Sequence, residues 1–170
     1  MHTPKQRRKL AAKAESRVAK DLGGKKVFNS GAGFEKSDVR VPGKLRSEVK
    51  HTSKNSYTFK IQDWIDLLLA ALSYGEYPIF VIDIQGLRKL AVVTKRFAKE
   101  TLEFGNVDTY EDQYTAKRSF SITPKRWNRA EALTPARLGL TMHYNASTAP
   151  YELVVLPYDV VVKRLKDVEL

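Results

Sequence analysis

The chain has 170 residues, 42% of them apolar and 10% aromatic, with nine Gly and seven Pro. That length supports one domain with a real core, and the composition excludes wholesale disorder. The longest apolar run, Leu67 to Leu72, is six residues, against the ~20 that a membrane-spanning helix needs. No apolar stretch follows the basic N-terminal region, so no secretory signal is expected. Cysteine is absent, which excludes disulfides, thiolate metal sites and cysteine nucleophiles and fits a cytoplasmic protein. The net charge is +11, and all of it lies in residues 1–60, which hold 16 Lys/Arg against 5 Asp/Glu; residues 61–170 hold 14 of each. So concentrated an excess points to a polyanionic partner, a nucleic acid or an anionic membrane face, or else to a solvated basic tail.

In chain order, Leu10, Ala11, Ala14, Val18, Ala19 and Leu22 recur at spacings of three and four. They predict a helix over 6–22, ended by Gly23-Gly24. A short strand is expected over 26–30, then a flexible Gly31-Ala32-Gly33 loop. Strands over 37–41 and 44–51 flank the turn signal Pro42-Gly43. A polar loop spans 52–56. The clearest helix is 61–74, closed by Gly75, with Trp64, Leu68 and Leu72 as its core stripe. Strands follow over 78–84 and 90–94, then a short helix over 95–104. Residues 105–150 are irregular and rich in turns. A strand over 152–156 and a helix over 159–168 end the chain. Helices alternating with strands in this order predict an α/β fold with a mixed central sheet flanked by helices.

The few acids of the basic third are informative. Asp38 falls on the first strand of the expected hairpin, and Glu48, Val49 and Lys50 on the second. Side chains alternate along a strand, so Glu48 and Lys50 share one face while Val49 and His51 take the other. A short turn is placed to bring Asp38 beside Glu48. Two carboxylates and the Val49 carbonyl suit Mg²⁺, which keeps several waters and shares its shell with substrate phosphate. Glu15, on the preceding helix, is placed to complete that shell directly or through water. Lys50 is placed to orient or deprotonate a water, or to stabilise phosphorane-like charge. Acids embedded in a basic segment meet both needs of phosphodiester hydrolysis, metal ligands and phosphate neutralisation. A D-x9-E-x-K spacing taken alone also occurs in ordinary charged hairpins.

The ordered set Glu15, Asn29-Ser30-Gly31, Ser37-Asp38, Glu48-Val49-Lys50 and Gln62 resembles the PD-(D/E)XK nuclease superfamily. Within it, the chain is most similar to archaeal-type Holliday-junction resolvases, including phage-borne versions. The likeness covers roughly residues 6–94. It implies a restriction-endonuclease-like fold and a Mg²⁺-dependent endodeoxyribonuclease, with Mn²⁺ able to substitute. The implied partner is branched double-stranded DNA, cut by a homodimer in the cytoplasm, the host's if the chain is phage-encoded. By the same likeness Asp38 and Glu48 ligate the metal, Lys50 acts on the nucleophilic water, and Glu15 is the helix-borne acid. Ser30 lies near the scissile backbone, and Gln62 is the glutamine of the following helix. The chain departs from the pattern at Ser37, where a proline usually precedes the aspartate, and over 105–150, which has no counterpart. One domain is expected over 1–170, with its core in 6–104 and 151–170 and an insertion over 105–150.

Arg7, Arg8, Lys9, Lys13 and Arg17, together with Lys36, Arg46 and Lys54, are expected to contact DNA phosphates by charge and position, and Gln62 by the resemblance. His2, His51 and His143 lack the spacing of a zinc site. The Gly31-Ala32-Gly33 loop lacks the endings of nucleotide-binding loops, so no nucleotide cofactor is expected. The helix over 61–74 is apolar all round from Leu67 to Leu72. That predicts cover on both sides, by the sheet and by either a second subunit or the 105–150 segment. Two other readings share these residues: a restriction- or repair-like nuclease of the same superfamily, and a basic nucleic-acid-binding module whose acids are structural.

Overall fold

The computed structural model describes residues 3–27, 37–85, 89–104, 110–112, 119–122, 140–146 and 149–168. Helix α1 (Pro4–Leu22) starts two residues earlier than its apolar spacing predicts. The Thr3 hydroxyl accepts from the Gln6 N–H while the Gln6 side chain accepts from the Thr3 N–H, and Pro4 opens the helix. This reciprocal cap satisfies amides that would otherwise lack partners. The helix ends on Gly23 at φ 68°.

The strands β1 (Lys25–Lys26), β2 (Val39–Val41), β3 (Leu45–Thr52), β5 (Tyr77–Ile84), β6 (Leu90–Thr94), β10 (Ala149–Pro157), β9 (Leu140–Ala146) and β7 (Tyr110–Asp112) lie side by side in that order. The β3–β5 and β7–β9 pairs are parallel and the others antiparallel. This is the mixed central sheet flanked by helices that the element order predicts. Strands β4 (Tyr57–Lys60) and β8 (Ser119–Ile122) form a separate antiparallel pair. The β3-to-β5 connection runs through β4 and α2 (Ile61–Leu72), the helix-bearing crossover that a parallel pair requires.

The core has two layers because β5 is apolar at every position from Ile79 to Ile84 except Asp83. Its odd residues Ile79 and Val81 join Ala14, Val18 and Val49 with Phe97 and Ala98 of α3 (Lys95–Glu100), and with Tyr158 and Val161 of α4 (Tyr158–Asp167). Its even residues Phe80, Ile82 and Ile84 join Trp64, Leu67 and Leu68 of α2 with Phe59 and Ile122. Helices α1, α3 and α4 therefore cover one face, and α2 with the β4–β8 pair covers the other.

Three expectations are corrected. Leu72 is not core: it is 63% exposed, and Leu69 beside it is 59% exposed, because Trp64, Leu67, Leu68 and Ala71 already fill the sheet-facing side of α2. Helix α3 ends at Glu100 rather than 104, where the Leu102 N–H bonds back to the Phe97 carbonyl and Leu102 turns into the core. The 105–150 stretch holds strands: β8 supplies Ile122 to the layer around α2, and β7 and β9 extend the main sheet.

The β2–β3 hairpin turns at Pro42-Gly43 as expected, with Gly43 at φ 73°, a conformation glycine adopts without strain. Its Gly43 N–H reaches Glu76 Oε1 at 3.1 Å. Glu76 also accepts from Arg40 Nε at 2.7 Å and Arg46 Nε at 2.9 Å, and both guanidinium groups stack on the Tyr74 ring. The side chains of Arg46 and Glu76 are fully buried. Arg46 was expected to contact DNA; the structure corrects this, because its charge is enclosed and paired inside the protein.

Burial pushes the Glu76 carboxyl up, but the hydrogen bonds from Arg40, Arg46 and Gly43 outweigh it and hold the group below its ordinary range. Its stabilising contribution is therefore present above that range and lost as pH falls through the lowered value. Replacing it leaves Arg46 as an uncompensated buried charge. Glu76→Ala is expected to cost about 3–5 kcal/mol in urea unfolding at neutral pH. The gap to the native chain should narrow as the solution is taken below the carboxylate range.

Candidate functional site

Strand β3 carries charge on one face only. Arg46, Glu48 and Lys50 alternate with Leu45, Ser47 and Val49. The Glu48↔Phe80 and Lys50↔Ile82 register sets Glu48 and Lys50 on the α2 side, while Val49 packs with Ala14 and Val18 on the α1 side. The predicted division of faces is therefore observed. On β2, the antiparallel register runs Val39↔Ser47. One step further along that register, Asp38 stands opposite Glu48.

Backbone bonds fix this placement. The Asp38 N–H donates to the Ser47 carbonyl at 2.9 Å, and the Val27 N–H donates to the Asp38 carbonyl at 2.9 Å. The Asp38 carboxylate accepts from the Val49 N–H at 2.8 Å. Lys50 Nζ donates to Glu48 Oε1 on the same strand face. Asp38, Glu48 and Lys50, three of the residues singled out in the sequence, are thus brought together.

Their electrostatics are those of crowded like charges in a half-buried setting. Burial raises the Glu48 pKa, the Asp38 charge raises it further, and Lys50 only partly offsets both. Burial pulls the Lys50 pKa down, but the Glu48 carboxylate beside it wins, so the ammonium form is held more strongly than usual.

Two neighbours were missed in the sequence. Asp63, in the first turn of α2, adds negative charge to both Glu48 and Lys50. An acid there reads as ordinary helix-start chemistry, so its spacing gave no signal. Tyr57 opens β4, a four-residue strand too short to show a period. Burial pushes its phenol well up, and Asp63 and Glu48 push it further.

The other expected site residues that are described have partners of their own or are exposed. Glu15 pairs with Lys26 at 2.8 Å and sits on α1, whose packing is against the Val49 face. Lys26 in turn stands opposite Val39, the residue after Asp38. Gln62 is exposed and its amide donates to Asp66 at 2.9 Å within α2. Arg7, Arg8, Lys9, Lys13 and Arg17 are exposed on α1, and Lys54 is exposed in the loop after β3. Ser30 and Lys36 lie outside the described residues.

Among the described residues, no three His, Asp or Glu side chains converge as a ready-made metal cluster. The donor set is two opposed hard carboxylates with the Val49 backbone beside them. That fits a cation which takes one or two protein carboxylates and fills its octahedron with water and phosphate, as Mg²⁺ does. Thiolate- or imidazole-preferring metals find no matching donors there.

No protein-family model matches the chain, and no curated protein matches it. Among solved structures it is similar to Hjc of Archaeoglobus fulgidus, a Holliday junction resolvase from an archaeal hyperthermophile. The identity is 12% and the TM-score 0.45, over 70% of this chain and 88% of that one. The chemistry proposed below rests on this chain's own residues.

Because the Glu48 pKa is raised in the folded state, the protein favours its neutral form. Metal-free stability should therefore fall as pH climbs from the ordinary 4.5 through the raised value, then level off. Thermal unfolding in EDTA across that range should show this slope, and Glu48→Gln should flatten it. An unchanged slope in the variant would mean that Glu48 is not the strained group.

Proposed function

We propose that the chain is a metal-dependent, structure-selective DNA endonuclease that resolves four-way junctions by paired phosphodiester hydrolysis. The observation that carries the reading is the opposition of Asp38 and Glu48, with Lys50 beside them, within a chain whose entire +11 excess lies in the same third. A structural role alone does not account for it. Opposing two carboxylates in a half-buried place costs stability, and a bound cation removes that cost.

In this reading Asp38, Glu48 and the Val49 carbonyl hold Mg²⁺, and Mn²⁺ substitutes for it. The cation supplies positive charge at the scissile phosphate and a lowered pKa for attacking water. Glu48 anchors the Lys50 ammonium on the same face. Its protonated state suits it to donate to a phosphate oxygen and to orient the water rather than to act as a base. Water oxygen attacks phosphorus and gives its proton to solvent, the bond to the 3′ oxygen breaks and that oxygen takes a proton from solvent, so the products are a 5′-phosphate and a 3′-hydroxyl. Asp63 keeps the surroundings negative and so favours the cation. The exposed cations of α1 neutralise phosphates along the DNA arms, a contribution that weakens with salt.

A four-way junction needs two symmetric cuts, so the working form is a homodimer. Among the described residues, the exposed Leu69 and Leu72 row of α2 offers an apolar surface for a second copy. Light scattering at micromolar concentration should report a dimer, and a Leu69→Glu/Leu72→Glu double variant should be monomeric. A native chain that scatters as a monomer would overturn the dimer.

The activity is tested on a labelled four-way junction and on linear duplex of the same sequence, with Mg²⁺ and with EDTA. Paired symmetric nicks on the junction only are expected. They should vanish in EDTA and fall by ~10²–10³-fold in Glu48→Gln and Asp38→Asn, as loss of a charge-stabilising group does. Asp38→Asn should still bind the junction. Cutting of both substrates would keep the nuclease and remove the junction preference. Salt-sensitive binding with no cutting in any divalent cation would leave a binding module.

A further inference from the structure

Tyr57 reaches the carboxylate cluster from a separate layer of the fold. It opens β4, and Phe59, two residues on, shares its face of that short strand. The Phe59 ring meets Phe80 edge-on at 5.0 Å, and the Tyr57 ring tilts against the same Phe80 at 6.3 Å. Phe80 stands opposite Glu48 in the β3–β5 register. Aromatic packing therefore holds the phenol ring on the α2 side of the sheet, next to Glu48, without help from its hydroxyl.

That hydroxyl is unused. Among the described residues it has no hydrogen-bond partner. Tyr57 is half-buried, and its hydroxyl is not among the side-chain atoms that are shut off from solvent without a partner. Burial keeps the phenol neutral well above its ordinary range, and the charges of Asp63 and Glu48 add to this. It therefore stays a donor wherever the carboxylates are ionised. Lys50, a second donor on this face, is already paired with Glu48. Another ammonium here would compete with a bound cation for Asp38 and Glu48, whereas a neutral O–H adds a hydrogen bond without adding charge.

We propose, building on the nuclease reading, that the Tyr57 hydroxyl donates a hydrogen bond to a non-bridging oxygen of the phosphodiester held at the Asp38–Glu48 cluster. This makes Tyr57 a substrate-binding residue of that reaction. Ionised carboxylates only accept, so they cannot make this contact themselves. An O–H that donates to an anionic oxygen forms one of the stronger hydrogen bonds. The ionised carboxylates serve the cation, and the neutral phenol is left for the anion.

The test pairs cutting with a signal that needs no cutting. Tyr57→Phe keeps the ring on Phe80 and removes the hydroxyl alone. With Mg²⁺ and saturating four-way junction, it should cut roughly ten- to a hundredfold more slowly than the native chain, as loss of one hydrogen bond to a charged group does. Calorimetric titration with Mn²⁺ alone should give the same affinity for Tyr57→Phe as for the native chain. The full chain is then labelled with ¹³C at the ring Cζ of its eight tyrosines, and the resonance missing from Tyr57→Phe is that of Tyr57. With Ca²⁺ in place of Mg²⁺, this resonance should move saturably as junction is added and stay in place when Ca²⁺ is added alone. Cutting by Tyr57→Phe at the native rate, a Tyr57 resonance unmoved by the junction, or one moved as far by Ca²⁺ alone would overturn the proposal. Weakened Mn²⁺ binding in Tyr57→Phe would overturn it too, by placing the hydroxyl on the metal. A native chain that cuts nothing, while its Tyr57 resonance still answers to the junction, would remove the nuclease reading and leave the phosphate contact standing.

Discussion

Strand β3 is flanked by β2 on one side and β5 on the other, yet one of its faces reads Arg46, Glu48, Lys50. Three charges on the inner part of a sheet must be compensated within the protein, since an isolated charge in such a place is far too costly. The surrounding structure is arranged around that constraint. Glu76, at the start of β5, faces Arg46 and Arg40, and the Gly43 amide of the hairpin turn completes its hydrogen bonding. Tyr74, just after α2, lays its ring against both guanidinium groups. The end of α2, the hairpin turn and the start of β5 are thereby tied together at one point. The Arg46 end of the charged row is enclosed in this way.

The Glu48 end is left unbalanced. Lys50 answers one carboxylate, but Asp38 and Asp63 add negative charge beside it. The same strand face therefore runs from a buried ion pair to a cluster in which negative charges crowd one another. Arg46 has a buried carboxylate partner, whereas Glu48 is crowded by a second carboxylate. Strain held by its surroundings is the usual physical mark of a functional position.

The central elements were legible because their signals are local. Alternation placed Glu48 and Lys50 on one face of β3, Pro42-Gly43 located the hairpin turn, and the apolar run from Ile79 identified a doubly buried strand. The α1 start was misjudged by two residues because the reciprocal Thr3–Gln6 cap lies outside the apolar period. Other features depended on partners far along the chain. Arg46 reads as a surface cation until Glu76, thirty residues on, is folded against it. Strand β4 acquires meaning only through β8, and Ile122 enters the core from a stretch with no clear period of its own. Glu15 lies close to the hairpin in sequence and shares its charge logic. However, α1 packs on the Val49 face, and that geometry gives its carboxylate to Lys26.

The two faces of β3 carry different chemistry. The α2 side presents Glu48 and Lys50. The α1 side presents His51, whose Nδ1 lies 3.1 Å from Asp83 Oδ2. Alternation alone produces this pairing, since Glu48 and Lys50 point one way and His51 the other. One strand thus separates the two sets of polar side chains by the thickness of a sheet. A single change of register in β3 would exchange the two faces and abolish both. Arg46 and Glu76, both fully buried, pair on that α2-side face, so a charge expected to contact a partner is instead enclosed within the fold.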